Sequence, residues 1–240
     1  MFTIPPPSVT PSRVHLIDAH PRGAPTNFLF RGNNPVTNGT FNFTGLLSVL
    51  RAKAAGECGV MLPDSVRFDD RDLENPTDPG FGAERAFWRQ HPELGSLEPW
   101  PTLGSVLEVK RTPAPRRQEL VANGSWAVQG HADYLASRLE QTRALLANTS
   151  GPPTVLFAHC NAGCDRTGEV VGSYRLKFHP MINVTQMYAL DVAECGRPPN
   201  YWSTMALEWF CIYMQENGRG DLTGCTDFAK CKFAGKCTPT

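Results

Sequence analysis

Several things are scarce in this chain, and each absence removes a class of explanation. No apolar run approaches the roughly 20 residues that a membrane-crossing helix needs, so no membrane span is expected. There is no excess of either charge: 23 Lys and Arg balance 23 Asp and Glu. Overall charge therefore gives no reason to expect nucleic acid or an anionic membrane surface as a partner. The first residues lack the basic start and apolar core of a signal peptide. Internal repeats and low-complexity tracts are missing. No Cys-x-x-Cys pair with a nearby His occurs, which leaves a zinc framework without support.

What is present is the composition of a globular protein. The 240 residues are 41% hydrophobic, enough to bury a core, and suit one large domain, or one domain with a small appendage. Pro and Gly, at 21 each, imply long connections. Residues 1–13 read as a Pro-rich arm, 14–218 as the main domain with a loop-rich insertion at 73–103, and 219–240 as a polar, Cys-rich tail.

Within the main domain, Val14–Asp18 and Asn27–Arg31 read as strands separated by a turn. Leu46–Ala54 has helical spacing, and Gly59–Leu62 reads as a buried strand. The acidic stretch from Asp64 to Asp72 could be a metal site or a catalytic acid. Its alternating Arg67 and Arg71 favour a solvated loop instead. A short helix is expected around Glu84–Gln90, a strand over Gly104–Arg111, and a loop from Pro113 to Gly130 in which Arg116 and Arg117 form an exposed pair. His131–Asn148 is an amphipathic helix. Helices are also expected over Val184–Glu194 and over Thr204–Glu216, the latter capped by Ser203. Strands with intervening helices, followed by helices alone, predict an α/β layer: a central mixed sheet flanked by helices.

The stretch that carries chemistry is Val155–Gly168, VLFAHCNAGCDRTG. Val155–Ala158 reads as a buried strand and Glu169–Phe178 as a helix, with a loop of small residues between them. Backbone N–H groups of such a loop, together with a helix N-terminus, favour a dianion. Arg166 adds a planar, permanently charged fork that matches two phosphate oxygens. Cys160 in that field would have a lowered pKa and act as a thiolate nucleophile. Gly163 and Ala162 let the backbone approach a ligand closely. Asn161, Ala162, Gly163, Cys164 and Arg166 are thus the candidate phosphate-binding residues, and no cofactor or metal is expected.

HCNAGCDRTG resembles the signature loop of the cysteine-dependent protein tyrosine and dual-specificity phosphatases, His-Cys-x-x-Gly-x-x-Arg-Ser/Thr. The Asp-Arg-Thr-Gly ending is most similar to the family's atypical branch. The resemblance covers about a tenth of the chain. It implies the family's α/β fold, Cys160 as nucleophile, and a phosphorylated substrate. His159 would fix the loop, and Thr167 would hydrogen-bond the sulfur. The leaving group also needs an acid. In relatives with a mobile acid loop, an Asp lies about thirty residues before the Cys. Here no Trp-Pro-Asp occurs in that region, and its carboxylates are Glu119 and Asp133. The atypical branch implies Asp165 instead, with Asp133 as the alternative acid and a loop brace as the bland role for Asp165. Phosphoinositide phosphatases with such loops often carry lysines where this chain has Asn161 and Cys164. A phosphotyrosine or mixed phosphoprotein substrate therefore leads over an inositol phosphate, and a silent phosphate-binding module is the remaining alternative.

Eight cysteines raise the question of compartment. Setting aside Cys160 and Cys164, the other six (Cys58, Cys195, Cys211, Cys225, Cys231, Cys237) could form three disulfides. Asn38, Asn42, Asn123, Asn148 and Asn183 each open an Asn-x-Ser/Thr sequon, where chance gives about one or two. Both features suggest a secretory or extracellular protein, with a cytoplasmic one as the alternative. A thiolate in an oxidising compartment invites a protective, reversible Cys160–Cys164 disulfide, with an inert Cys164 that points away as the equal alternative.

Overall fold

The computed structural model describes residues 9–21, 26–127, 134–232 and 236–239. Its chain divides into two compact units, Met1–Pro101 with Gln141–Gly163, and Thr102–Glu140 with Cys164–Thr240.

The first unit is built on a five-stranded mixed sheet in the order β1-β2-β7-β5-β6. These strands are β1 (His15–His20), β2 (Asn27–Asn33), β5 (Arg67–Asp72), β6 (Gly95–Pro99) and β7 (Thr154–Cys160). A small ladder of β3 (Val36–Thr37) and β4 (Thr40–Phe41) stands apart. β1 pairs antiparallel with β2, while β2, β7, β5 and β6 run parallel. A parallel strand with neighbours on both sides is covered on both faces, which is why β7 reads as an unbroken apolar run. The edge strand β6 comes close to β5 at Gly95, where an added Cβ would lie 2.1 Å from the Phe68 carbonyl oxygen.

Two helices of this unit are α1 (Phe43–Cys58) and α2 (Phe81–Gln90). Asn42 caps α1 by accepting from Gly45 N, and Gly59 ends it in the left-handed conformation. The core joins Phe28, Phe30, Leu46, Leu50, Phe68, Trp88, Val155 and Phe157. Side chains alternate across a strand, so Asp70 and Asp72 share a face with Phe68, and His159 shares one with Val155 and Phe157. Cys160 projects to the opposite face from His159. On α2 the buried residues are Phe81, Glu84 and Trp88, so a carboxylate sits in the middle of the apolar stripe.

The second unit is helical. It holds α3 (Ala114–Asn123), α5 (Asp165–Phe178), α6 (Val184–Cys195), α7 (Tyr201–Glu216) and the hairpin of β8 (Ala229–Lys232) with β9 (Lys236–Pro239). The helix α4 (Leu135–Ala147) begins in this unit and ends in the first. Helix α5 packs tightly through two glycines. A Cβ on Gly172 would lie 2.7 Å from Met187 Sδ and 2.9 Å from Leu207, and one on Gly168 3.3 Å from Pro199. An Asn183 capping box opens α6.

The α/β class, the mixed sheet and most helices agree with expectation, but several local readings do not. Gly59–Leu62 is not a strand, because Gly59 is the left-handed stop of α1. Asp64–Asp72 is not a solvated loop: its second half is the interior strand β5, between β7 and β6, with Asp70, Arg71 and Asp72 buried. The arginines that suggested solvent are used internally, since Arg71 donates to both Asp69 oxygens and to Thr142 and stacks over Trp100. The span 73–103, read as an insertion, supplies α2 and the sheet strand β6. Gly104–Arg111 ends in a 3-10 turn rather than forming a strand, and the span after Pro113 is the helix α3, with Pro115 in its first turn. Arg116 lies there, paired with Glu119. Helix α7 starts at Tyr201 because Asn200, not Ser203, is its cap, accepting from Ser203 N. Among the described residues, no helix is long and apolar enough to cross a membrane.

Candidate functional site

The loop joining β7 to α5 runs from Cys160, the last residue of β7, to Asp165, the first of α5. In the first unit, β2, β7 and β5 are parallel and end together: His159 pairs with Gly32 and with Asp72, and Cys160 with Asn33. The carboxyl ends of parallel strands are where α/β sheets bind ligands. Cys160 is the one free cysteine among the described residues and is 2% exposed.

The carbonyl oxygens of this loop are tied back. Asn34 N donates to the Cys160 and Asn161 oxygens at 2.9 and 3.4 Å. Arg13 Nη1 donates to the Ala162 oxygen at 3.0 Å, and Arg31 Nη2 to that of Gly163 at 2.9 Å. In a trans peptide the N–H points opposite to the preceding C=O. Tying back the Cys160, Asn161 and Gly163 oxygens thus turns the N–H groups of Asn161, Ala162 and Cys164 the other way, as an anion cradle requires. Gly163 is required in this turn. Its φ is +69°, and an added Cβ would lie 2.5 Å from the Gly32 oxygen.

Beneath the strand ends lie two groups of buried acceptors sharing His159, with ligand atoms close enough to hold a metal ion: Asp70 with Glu84, and Asp72 with Glu74. His159 Nε2 is 2.9 Å from Glu84 Oε1 and 3.1 Å from Asp70 Oδ1, all fully buried. Trp88 Nε1 donates to the other Asp70 oxygen at 2.6 Å. Burial opposes charge on His159, but Glu84 and Asp70 hold its pKa well above the ordinary value. Burial, and next the Asp70 charge, raise Glu84 well above the carboxylate range.

In the second unit, Cys164 is the residue before α5, and Asp165 opens the helix with Arg166 behind it. The Asp165 oxygens accept from Arg197 Nη1 and Nη2, both at 2.8 Å, and Oδ1 also accepts from Asn200 N at 2.8 Å. Thr167 is fully buried. Cys164 forms a disulfide with Cys195, the last residue of α6, with Cα atoms 5.3 Å apart. The expected Cys160–Cys164 bond is thus replaced, because the glycine-mediated packing of α5 on α6 brings Cys195 to the helix start. It also breaks the expected closed set of six, since Cys195 is taken by Cys164. Cys211 pairs with Cys225, anchoring the tail to α7. Asp133, the alternative acid, lies outside the described residues.

Sequence reasoning missed Arg13, Arg31, Asn34, Glu84, Arg197 and Asn200. Only Glu84 carried a readable signal, its i, i+3, i+7 spacing with Phe81 and Trp88. The chain matches no known protein family and no curated protein.

Proposed function

We propose that this protein is a cysteine-dependent phosphomonoester hydrolase. The Cys160 thiolate attacks phosphorus, and the bond to the leaving oxygen breaks as that oxygen takes the electron pair and a proton. Water then attacks phosphorus, the Cys160 thiolate leaves, and inorganic phosphate is released. Arg166 would hold two phosphoryl oxygens, and Thr167 the sulfur. The observation that carries this reading is the tied-back loop: a free thiol at a parallel strand end, followed by a turn whose carbonyls are claimed by Arg13, Arg31 and Asn34. An ordinary strand-to-helix turn has no need of two arginines on its carbonyl oxygens.

Asp165 fits better as a loop brace than as the acid. Three hydrogen bonds converge on its oxygens, two of them from the Arg197 guanidinium, so most of its acceptor sites hold the loop. Phosphotyrosine or mixed phosphoprotein substrates suit the neutral Asn161, since an aryl leaving group depends least on an acid. Two disulfides and five sequon asparagines, all exposed, favour a secretory or extracellular setting.

Phosphate release by the full chain tests the reading, with an aryl phosphate, phosphotyrosine and phosphoserine peptides, and an inositol polyphosphate as substrates. Turnover that falls by about 10³-fold or more in Cys160→Ser is the expected result. Phosphopeptide binding without turnover, unchanged in Cys160→Ser, would make the chain a binding module.

A further inference from the structure

Asp70, Glu84 and His159 converge from β5, α2 and β7 in a region of the first unit that water does not reach. A buried carboxylate is costly unless it is paired or coordinates a cation. Here the close contacts are 2.9 and 3.1 Å, yet His159 Nε2, Asp70 Oδ1 and both Glu84 oxygens lack a partner in hydrogen-bond geometry. Contact at bonding distance without bonding direction is what an N–H donor would avoid. A cation on the ring-nitrogen axis explains it.

At the roughly 90° bond angles of a six-coordinate ion, bonds of about 2.1 Å to a ring nitrogen and to two oxygens separate each nitrogen–oxygen pair by about 3 Å, against about 3.4 Å for a tetrahedral ion. Each oxygen then lies about 45° off the ring axis, out of line for a hydrogen bond but in place for coordination. Both observed separations match the six-coordinate figure. Trp88 Nε1 supplies the outer support such sites use, fixing the Asp70 carboxylate through its far oxygen. The unbonded Glu84 Oε2 offers a fourth donor. One imidazole with two carboxylates suits a first-row divalent ion, Mn²⁺ or Zn²⁺, before the purely oxygen-seeking Mg²⁺ or Ca²⁺.

We propose that Asp70, Glu84 and His159 bind a structural divalent transition-metal ion that ties α2 to the carboxyl ends of β5 and β7. It needs no role in phosphoryl transfer, because Cys160 projects to the other face of the sheet from His159.

Elemental analysis of the purified full chain, followed by chelation and titration with Zn²⁺ and with Mn²⁺, tests this. We expect close to one ion per chain, retained through dialysis, and a melting temperature that falls on chelation and recovers on adding Zn²⁺. Glu84→Gln keeps the shape of the side chain and should weaken Zn²⁺ by about tenfold or more. Cys160→Ser should bind as wild type does, which excludes the thiol as the ligand. Because Glu84→Gln could fail to fold, the wild-type chelation cycle stands as a separate measurement. A melting temperature indifferent to Zn²⁺ and Mn²⁺, or stoichiometric metal undiminished in a folded Glu84→Gln, would overturn the assignment. The first of these outcomes would mean that protons neutralise the cluster.

Discussion

Two sets of polar side chains follow the loop's two halves, and they are finished differently. In the second unit, Asp165 takes both arms of Arg197 and an amide, and Glu194 takes both arms of Arg175. In the first unit, Asp70, Glu84 and His159 are more deeply buried, yet their facing atoms touch without forming hydrogen bonds. A half-buried carboxylate held by three donors, as Asp165 is, is suited to bracing the loop. A buried acceptor left without donors costs about 1–3 kcal/mol, so it persists where something else uses it. On that distinction we place Asp165 with the scaffold and propose the His159 cluster as a site.

The Cys164–Cys195 disulfide fastens the start of α5 to the end of α6. Replacing Cys164 and Cys195 with Ala opens a closed span with a sequence separation of 31 and should cost about 3 kcal/mol in denaturant melts. Metal content should be unaffected, since neither sulfur belongs to the cluster. At the turn itself, Gly163→Ala meets both a positive φ and a carbonyl wall. A loss of about 2 kcal/mol is expected, with activity lost even where the protein remains folded.

The second unit has one buried carboxyl that should show itself by pH. Burial, opposed by Lys110 and reinforced by Asp227 and Glu108, pushes Glu208 up to about 8. Its folded pKa is above the unfolded one, so its contribution is complete below about pH 4.5 and is lost as pH rises to about 8. Wild type should therefore lose stability across that window. Glu208→Gln should flatten the fall, by up to about 4 kcal/mol at pH 8.5 relative to pH 5. Equal slopes for the two proteins in thermal melts would remove Glu208 as a titrating group.

Asp165→Asn gives the smallest effect and the sharpest reading. A brace that loses its charge should slow aryl and alkyl phosphates alike, by about tenfold or less, whereas loss of an acid slows the poorer leaving group more. A decrease that grows with leaving-group pKa would return Asp165 to the role of acid.

How much of this the sequence disclosed differed between the two halves. The β7–α5 loop was legible because its residue types are contiguous, and the apolar run of β7 marks a strand covered on both faces. β5 was not legible. Its alternation of Phe68, Asp70 and Asp72 is a strand period, but charge on a buried face reads as solvent unless its partners are known. Those partners, Glu84 and His159, are 14 and 89 residues from Asp70 in sequence, and no local pattern links them. The sequons show the reverse confusion. Asn42 and Asn183 cap helices and Asn148 accepts from Ser150, so part of their excess over chance is capping chemistry. All five are nevertheless exposed, and a carbohydrate could reach them.

A cysteine nucleophile must pass through a thiophosphate on Cys160, and that intermediate can be trapped. The full chain would be mixed with an aryl phosphate, quenched in acid during turnover, digested, and its Cys160 peptide examined by mass spectrometry. A thiophosphate intermediate should show as a single phosphoryl group on Cys160 that appears with substrate, decays as phosphate is released, and is missing from Cys160→Ser. Steady phosphate release with an unmodified Cys160, persisting undiminished in Cys160→Ser, would contradict it.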